Sequence, residues 1–292
     1  MLKESFLRYL RYEKNYSEKT IVAYGTDLSM FEAYFKAADE TLDFTTVDTD
    51  VIRGWMLSLM DEGNASSSVN RKLSSLRSFY RYLLREKVVS VDPASKVRAP
   101  KKKKPLPVFV KDADMNRLLD EDPGDGFESV RDKAVIATFY ETGIRRAELI
   151  GLKDGDVDLS VCQMKVTGKR NKQRIIPFGD DLKEMLQAYL SARNRCCPKE
   201  CEAFFVRKDG KQMYPGLVYL LVKQNLSRVV TLKKKSPHVL RHSFATTMLN
   251  HQAGLESVKE LLGHESLATT EIYTHTTFEE LKKVYEQAHP RA

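Results

Sequence analysis

From residue 145 onward, this sequence carries five cationic or imidazole side chains and one tyrosine that together could handle a phosphate. Arg145 lies in TGIRRAELIGL, Lys169 in VTGKRNKQR, and His238 and Arg241 in SPHVLRHSFAT; His264 and Tyr273 lie in LLGHESLATTEIYTH. Guanidinium, ammonium and imidazole groups all donate hydrogen bonds to an oxyanion, and the planar fork of an arginine matches two phosphate oxygens at once. A tyrosine among them supplies an oxygen nucleophile. The set fits an enzyme that breaks a phosphodiester backbone and rejoins it.

Such a set works only if secondary structure aims it. His238 and Arg241 are three apart and share one face of any helix that holds both. Pro237 suits a first helical turn, so His238 falls at a helix N-terminus, where an anion is favoured. Gly263 reads as the end of a helix over 255–262, and Ser266 as the cap of another over 266–274 that carries Thr269, Thr270 and Tyr273. Residues 131–142 form a largely apolar helix that Gly143 breaks, leaving Arg145 near the start of the next. Cys162, Met164 and Val166 alternate with Val161, Gln163 and Lys165 as in a strand. A polar turn over 168–172 and a second strand over 174–178 complete a hairpin with Lys169 at its tip. Phe204, Phe205 and Val206 suggest a third strand before a KDGK turn. Further helices are expected where Asp112 opens a run with Met115, Leu118 and Leu119, and over 180–194, 214–230, 238–251 and 278–288. The last has an apolar stripe of Phe278, Leu281, Val284 and Tyr285.

The first segment reads as helices only. Phe6, Leu7, Tyr9 and Leu10 mark a short opening helix. Ser17 can cap a second, with Ile21, Tyr24, Leu28, Phe31 and Phe35 at helical spacing. A third carries Val51, Ile52, Trp55, Met56 and Leu59 and stops at Gly63. A fourth runs from 66–68 to about Lys87, with a core stripe of Leu73, Leu76, Tyr80 and Leu83. Arg77, Arg81 and Arg85 recur every four residues on another face, with Arg71 and Lys72 one turn earlier. That row matches phosphate spacing in a DNA groove, and equally a solvated face. Asp92-Pro93 ends the segment, and KVRAPKKKKPLP follows as an extended basic linker. The domain reading is 1–96, a linker over 97–107, and 108–292.

The 292 residues suffice for two domains, each with its own core. Net charge is +8, unevenly placed: residues 1–95 hold 13 Lys/Arg against 14 Asp/Glu, whereas 96–292 are net +9. Lys96, Arg98, Lys101, Lys102, Lys103 and Lys104 account for +6 of that. A polyanion partner fits this distribution, and so does a solvated basic linker. No apolar run is long enough to span a bilayer, and the N-terminus lacks a signal-peptide stretch, so a cytoplasmic protein is expected. Cys162, Cys196, Cys197 and Cys201 lack the paired spacing of a zinc site and are read as reduced thiols.

In order, spacing and motif, these residues resemble the tyrosine recombinase (phage integrase) family, and within it the bacterial Xer site-specific recombinases. The resemblance covers nearly the whole chain. It implies a mainly α protein of two domains: an N-terminal all-α SAM-like core-binding domain and a C-terminal mixed α+β catalytic domain with a small antiparallel sheet. It places the catalytic set on Arg145, Lys169, His238, Arg241 and His264, with Tyr273 as nucleophile and Glu148 as the acid that follows the first arginine. Arg146 and Arg170 depart from the pattern, where smaller residues are common; Arg170 and Lys172 are expected to touch DNA. The resemblance implies a duplex recombination site, a tetramer with a paired recombinase, a Holliday junction and a 3′-phosphotyrosyl intermediate. No metal or cofactor is expected, because the cations are side chains.

Each residue alone also has a plain reading. Arg145 can pair with Glu148 or Glu141, His238 can cap its helix, His264 can be buried after a C-cap glycine, and Tyr273 can be core. A non-cleaving DNA-binding protein, a topoisomerase-like relaxer and a mobile-element integrase remain open beside chromosome-dimer resolution at cell division with the division DNA translocase. The compact chain leans toward the last.

Overall fold

The computed structural model describes residues 1–101, 108–168, 171–198, 200–263 and 278–292. The chain divides into two compact units, Met1–Pro105 and Leu106–Ala292.

The first unit is built from α1 (Leu2–Tyr12), α2 (Glu18–Ala38), α3 (Thr49–Asp61) and α4 (Ser66–Arg85). Short polar side chains start two of them. Ser17 Oγ accepts from the Thr20 N–H, and the Asp48 carboxylate accepts from the Asp50 and Val51 N–H groups at 2.9 Å each. After α3 the backbone turns left-handed at Gly63 (φ +81°). The core is aromatic: Phe6, Phe31, Phe35, Phe44, Trp55, Phe79 and Tyr80 interlock, with Phe44 and Phe79 edge to face 5.0 Å apart and Phe31 and Trp55 tilted at 4.9 Å.

Inside that core sits one carboxylate. Asp27 on α2 is fully buried and takes a bidentate grip from Arg71 and a 3.3 Å contact from the Lys72 ammonium, itself buried against Met30. The expected row of DNA-facing cations on α4 is corrected at Lys72. Lys72 points inward, because Asp27 needs a counter-charge there, and Arg71 turns toward the same partner. Arg77 donates to the carbonyls of Ala94 (3.3 Å) and Val97 (2.6 Å), and Asn70 donates to Pro100 O (2.9 Å). Val97 is buried beneath them, so residues 97–100 are strapped onto this unit rather than extended. Arg85 lies 4.1 Å over the Tyr9 ring and pairs with Glu86. Arg81 and Lys101 are exposed, while Lys102, Lys103 and Lys104 lie outside the described residues.

The second unit contains α5 (Asp112–Asp120), α6 (Phe127–Thr142), α7 (Arg146–Gly151), β1 (Val157–Asp158), β2 (Gln163–Thr167), β3 (Gln173–Pro177), α8 (Asp180–Cys196), α9 (Pro215–Val229), α10 (Pro237–Asn250), α11 (Leu255–Leu262) and α12 (Phe278–Ala288). Helix α6 is buried all round from Ala134 to Thr142 and packs against α8 and α10. The sheet is antiparallel in the order β1-β2-β3, and β2 and β3 form the expected hairpin, with Met164 opposite Ile176 and Val166 opposite Arg174.

One expectation fails here. Residues 204–206 are buried but not a strand. Tyr189 on α8 donates to Phe204 O (2.9 Å) and accepts from Val206 N–H (3.0 Å), occupying groups that a sheet neighbour would use. Only isolated bridges remain, and the third strand is Val157–Asp158. In the single chain α12 packs on its own unit. Leu281, Tyr285 and Ala288 pack on Phe244, Met248, Val258, Leu261 and Leu262 of their own unit. Beyond α12, Arg291 bridges Asp120 (2.8 Å) and Asp181 (2.9 Å). The helix expected over 266–274 lies outside the described residues. Among the described residues no helix is long and apolar enough to cross a membrane.

Asp27→Ala should leave the Lys72 ammonium buried without its partner and cost about 3 kcal/mol or more. Trp55, the chain's single tryptophan, is buried in the same unit, so its fluorescence in a urea titration reads this loss directly. An unchanged midpoint would remove Asp27 from the list of determinants.

Candidate active site

The site begins where α6 stops. Gly143 is left-handed (φ +59°), and a Cβ there would lie 2.5 Å from the Phe244 ring and 2.8 Å from Leu262. Only glycine makes that turn at such close approach. Arg145 follows as the extended residue that opens α7. Its N–H donates to Glu148 Oε2 at 2.7 Å, because the sequence RRAE puts a carboxylate three residues into the helix. The Arg145 side chain returns to the same group, Nη1 to Oε1 at 2.8 Å.

A second arginine grips Glu148 from the sheet. Arg174 on β3 donates through Nη1 to Oε1 and Nη2 to Oε2, both at 2.9 Å. The third guanidinium, Arg241 on α10, is buried and donates to Gly143 O at 2.6 Å. All three then meet the end of α11. Arg174 Nε reaches Leu261 O (2.8 Å), Arg241 Nη2 reaches Leu262 O (2.7 Å), and Arg145 Nη2 reaches Gly263 O (2.9 Å). These are helix-terminal carbonyls without intrahelical partners, and cations satisfy them well. Gly263 itself is left-handed (φ +63°).

Three guanidiniums surround one buried carboxylate, so the pocket keeps a surplus of positive charge. Burial opposes ionisation of Glu148, but hydrogen bonds and charge from Arg174, then Arg145, overcome it and hold the carboxyl at about 2. Burial and the neighbouring Arg145 draw Arg241 down to about 10, still protonated at neutral pH. His238 sits one turn before Arg241 at the solvent-facing start of α10. Partial burial of the ring, then the charges of Arg146 and Arg241, push its imidazole below the ordinary value, so it is neutral at pH 7.

The structure therefore brings together Arg145, Glu148, His238 and Arg241. Gly168, which precedes Lys169, lies against the same carboxylate: a Cβ on it would be 3.2 Å from Glu148 Oε1 and 3.9 Å from Arg145 Nη1. Lys169, Arg170, His264 and Tyr273 lie outside the described residues; His264 follows Gly263 directly in sequence. Arg146 donates to Pro215 O (3.3 Å) at the edge of the site, and Lys172 is exposed in the hairpin turn. Arg174 escaped the sequence reading. Its signal was a charge on the inward face of a strand, in register with Val166 and two residues from the buried Ile176. Cys196, Cys197 and Cys201, at and beyond the end of α8, are free thiols.

A model of the phage integrase family matches residues 109–280, and one of the phage integrase N-terminal SAM-like domain matches 4–87. The chain belongs to the phage integrase family. With that membership comes its enzyme class, site-specific tyrosine recombinase. Among its relatives in the family, tyrosine recombinase XerC of Chlorobaculum parvum is 41% identical over 99% of this chain and 94% of its own length. Tyrosine recombinase XerD of Oceanobacillus iheyensis is 36% identical over 99% and 98%. The fold matches that of the XerH site-specific recombinase bound to palindromic difH substrate, with a TM-score of 0.71 at 21% identity over 96% of this chain and 83% of that one. It also matches the Tn1549 transposon integrase in complex with circular intermediate DNA, with a TM-score of 0.71 at 19% identity over 97% and 98%.

Glu148→Gln should weaken this family member's second unit. A carboxyl held at about 2 contributes stability above its ordinary value of 4.5 and loses it as pH falls from 4.5 through 2. The shift corresponds to roughly 3 kcal/mol at pH 7. Calorimetric scans of both proteins should differ most at pH 7 and converge only as pH falls to about 2; a constant gap would mean that charge is not what Glu148 contributes.

Proposed function

We propose that this chain cleaves and rejoins duplex DNA at a specific site through a covalent bond to Tyr273. The convergence of Arg145 and Arg241 on one positively charged pocket, with a neutral His238 beside it, is the observation that supports this reading most. The Tyr273 oxygen attacks the scissile phosphorus, and the P–O5′ bond breaks. The pentavalent transition state gains negative charge on its nonbridging oxygens, which the two guanidiniums and His264 stabilise. His238 accepts the phenol proton, which a free tyrosine of pKa about 10 would otherwise retain at pH 7. Lys169 supplies the proton to the leaving 5′-oxygen. The product is a 3′-phosphotyrosyl ester and a free 5′-hydroxyl, and the ester conserves the bond for religation without ATP.

The exposed Arg81, the basic run through Lys101 and the 102–104 lysines, and Arg170 and Lys172 of the hairpin are assigned to DNA backbone contacts; Lys72 is not. Similarity to proteins named XerC and XerD supports a paired recombinase in a tetramer, a Holliday-junction intermediate, and resolution of chromosome dimers at cell division in the cytoplasm.

A nicked suicide duplex bearing the site should trap a protein–DNA adduct with the wild-type chain and none with Tyr273→Phe. Arg241→Ala should slow adduct formation on the order of 10²–10³-fold. An intact wild-type chain that binds the site yet never forms the adduct would point to a non-cleaving DNA-binding protein instead. The cleavage rate should be flat around neutral pH and fall on an acid limb below 6.5, the ordinary histidine value, since protonated His238 cannot accept the phenol proton. His238→Asn should flatten that limb.

A further inference from the structure

We propose that Arg174 is a positioning residue of the phosphate site: it fixes Arg145 through Glu148 and ties that arginine to the end of α11, without touching DNA itself. The inference rests on the recombinase reading above and deepens it. Glu148 has room for about four hydrogen bonds, and all four are filled, two by Arg145 and two by Arg174. The carboxylate is thus clamped from the α7 side and the sheet side together. Its own side chain is 2% exposed, so no water competes for those positions.

The two arginines are not equivalent. Arg145 keeps 37% of its side chain exposed, leaving an edge of the guanidinium free for an incoming oxyanion. Arg174 is 15% exposed, both of its Nη atoms are on Glu148, and its Nε is on Leu261 O. Its guanidinium also lies against Gly263, where a Cβ would come within 3.1–3.3 Å of it. It has the charge of a phosphate ligand but faces inward, on the strand face shared with Ile176.

The consequence reaches the chain that follows. The carbonyls of Leu261, Leu262 and Gly263 are held one each by Arg174, Arg241 and Arg145. The exit of α11 into residues 264–277, which include His264 and Tyr273, is therefore anchored to the same guanidiniums that are assigned to the phosphate. Arg174 is the member that links both anchors, Glu148 and Leu261, and stays in place when phosphate arrives. Lysine retains the charge there but cannot supply three donors in one plane.

Two measurements test this. Arg174→Lys should bind site DNA within about twofold of wild type yet form the covalent adduct about 10–100-fold more slowly. The double variant R145K/R174K should be slowed by less than the product of the two single effects, because Arg174 acts in part through Arg145. Wild-type cleavage by R174K, or a double variant slowed by the product of the two single effects, overturns the proposal. The second needs no substitution. In arginine side-chain ¹⁵N spectra of the wild-type chain titrated with inorganic phosphate, the Arg145 signals should move while those of Arg174 stay. An Arg174 shift as large as that of Arg145 makes it an anion ligand and overturns its positioning role. Absence of any adduct from the wild-type chain would instead sink the recombinase reading, with the phosphate titration still deciding the role of Arg174.

Discussion

The site depends on one buried carboxylate. Three guanidiniums within reach of one helix end would repel one another and splay apart without an anion among them. Glu148 is that anion, and because it is buried and fully hydrogen-bonded it is also rigid. It neutralises one positive charge of three, which lets the pocket close while leaving it electropositive. A carboxylate held at about 2 remains ionised throughout the physiological range, so the scaffold does not titrate while His238 can. Preorganised donors of this kind need no rearrangement when charge develops on a bound phosphate.

The first unit applies the same device to a different end. Asp27 is buried and carries Arg71 and the buried Lys72, and the arrangement locks α2 to α4. Arg77 likewise strings residues 94–97 onto α4 through two carbonyls. Formal charge therefore overstates what is available to a polyanion. Lys72 and Arg77 of the cationic row on α4 are tied inside the unit, whereas Arg71, Arg81 and Arg85 remain exposed.

Helix α12 shows how a face can look unpartnered in sequence and be covered in the fold. An apolar stripe states that something must cover it, not whose core does so. Here it closes the small cluster around Phe244 and Leu262, the same side chains that crowd Gly143 and so shape the turn into Arg145. The end of the chain and the entrance to the site share one packing unit. Arg291 adds ion pairs to α5 and α8 beyond the helix.

Resemblance to the phage integrase family joined Arg145, Glu148, His238 and Arg241 as one set, and the sequence by itself determined the described helices and the hairpin. Those features are local: periodicity, caps, glycine turns and motif spacing act within a few residues. It also set the two-part organisation, through the charge shift and prolines near residue 97. What only the tertiary structure decided involved partners distant in sequence. Lys72 looks like a surface lysine until Asp27, 45 residues earlier, is found beside it. Residues 204–206 look like a strand until Tyr189 takes their backbone groups. Arg174 looks like one more hairpin charge until Glu148 and the end of α11 arrive from 26 and 87 residues away. A side chain's type announces which bonds it is able to make, but the choice among partners is made by the packing that brings one within 3 Å and keeps water from the rest.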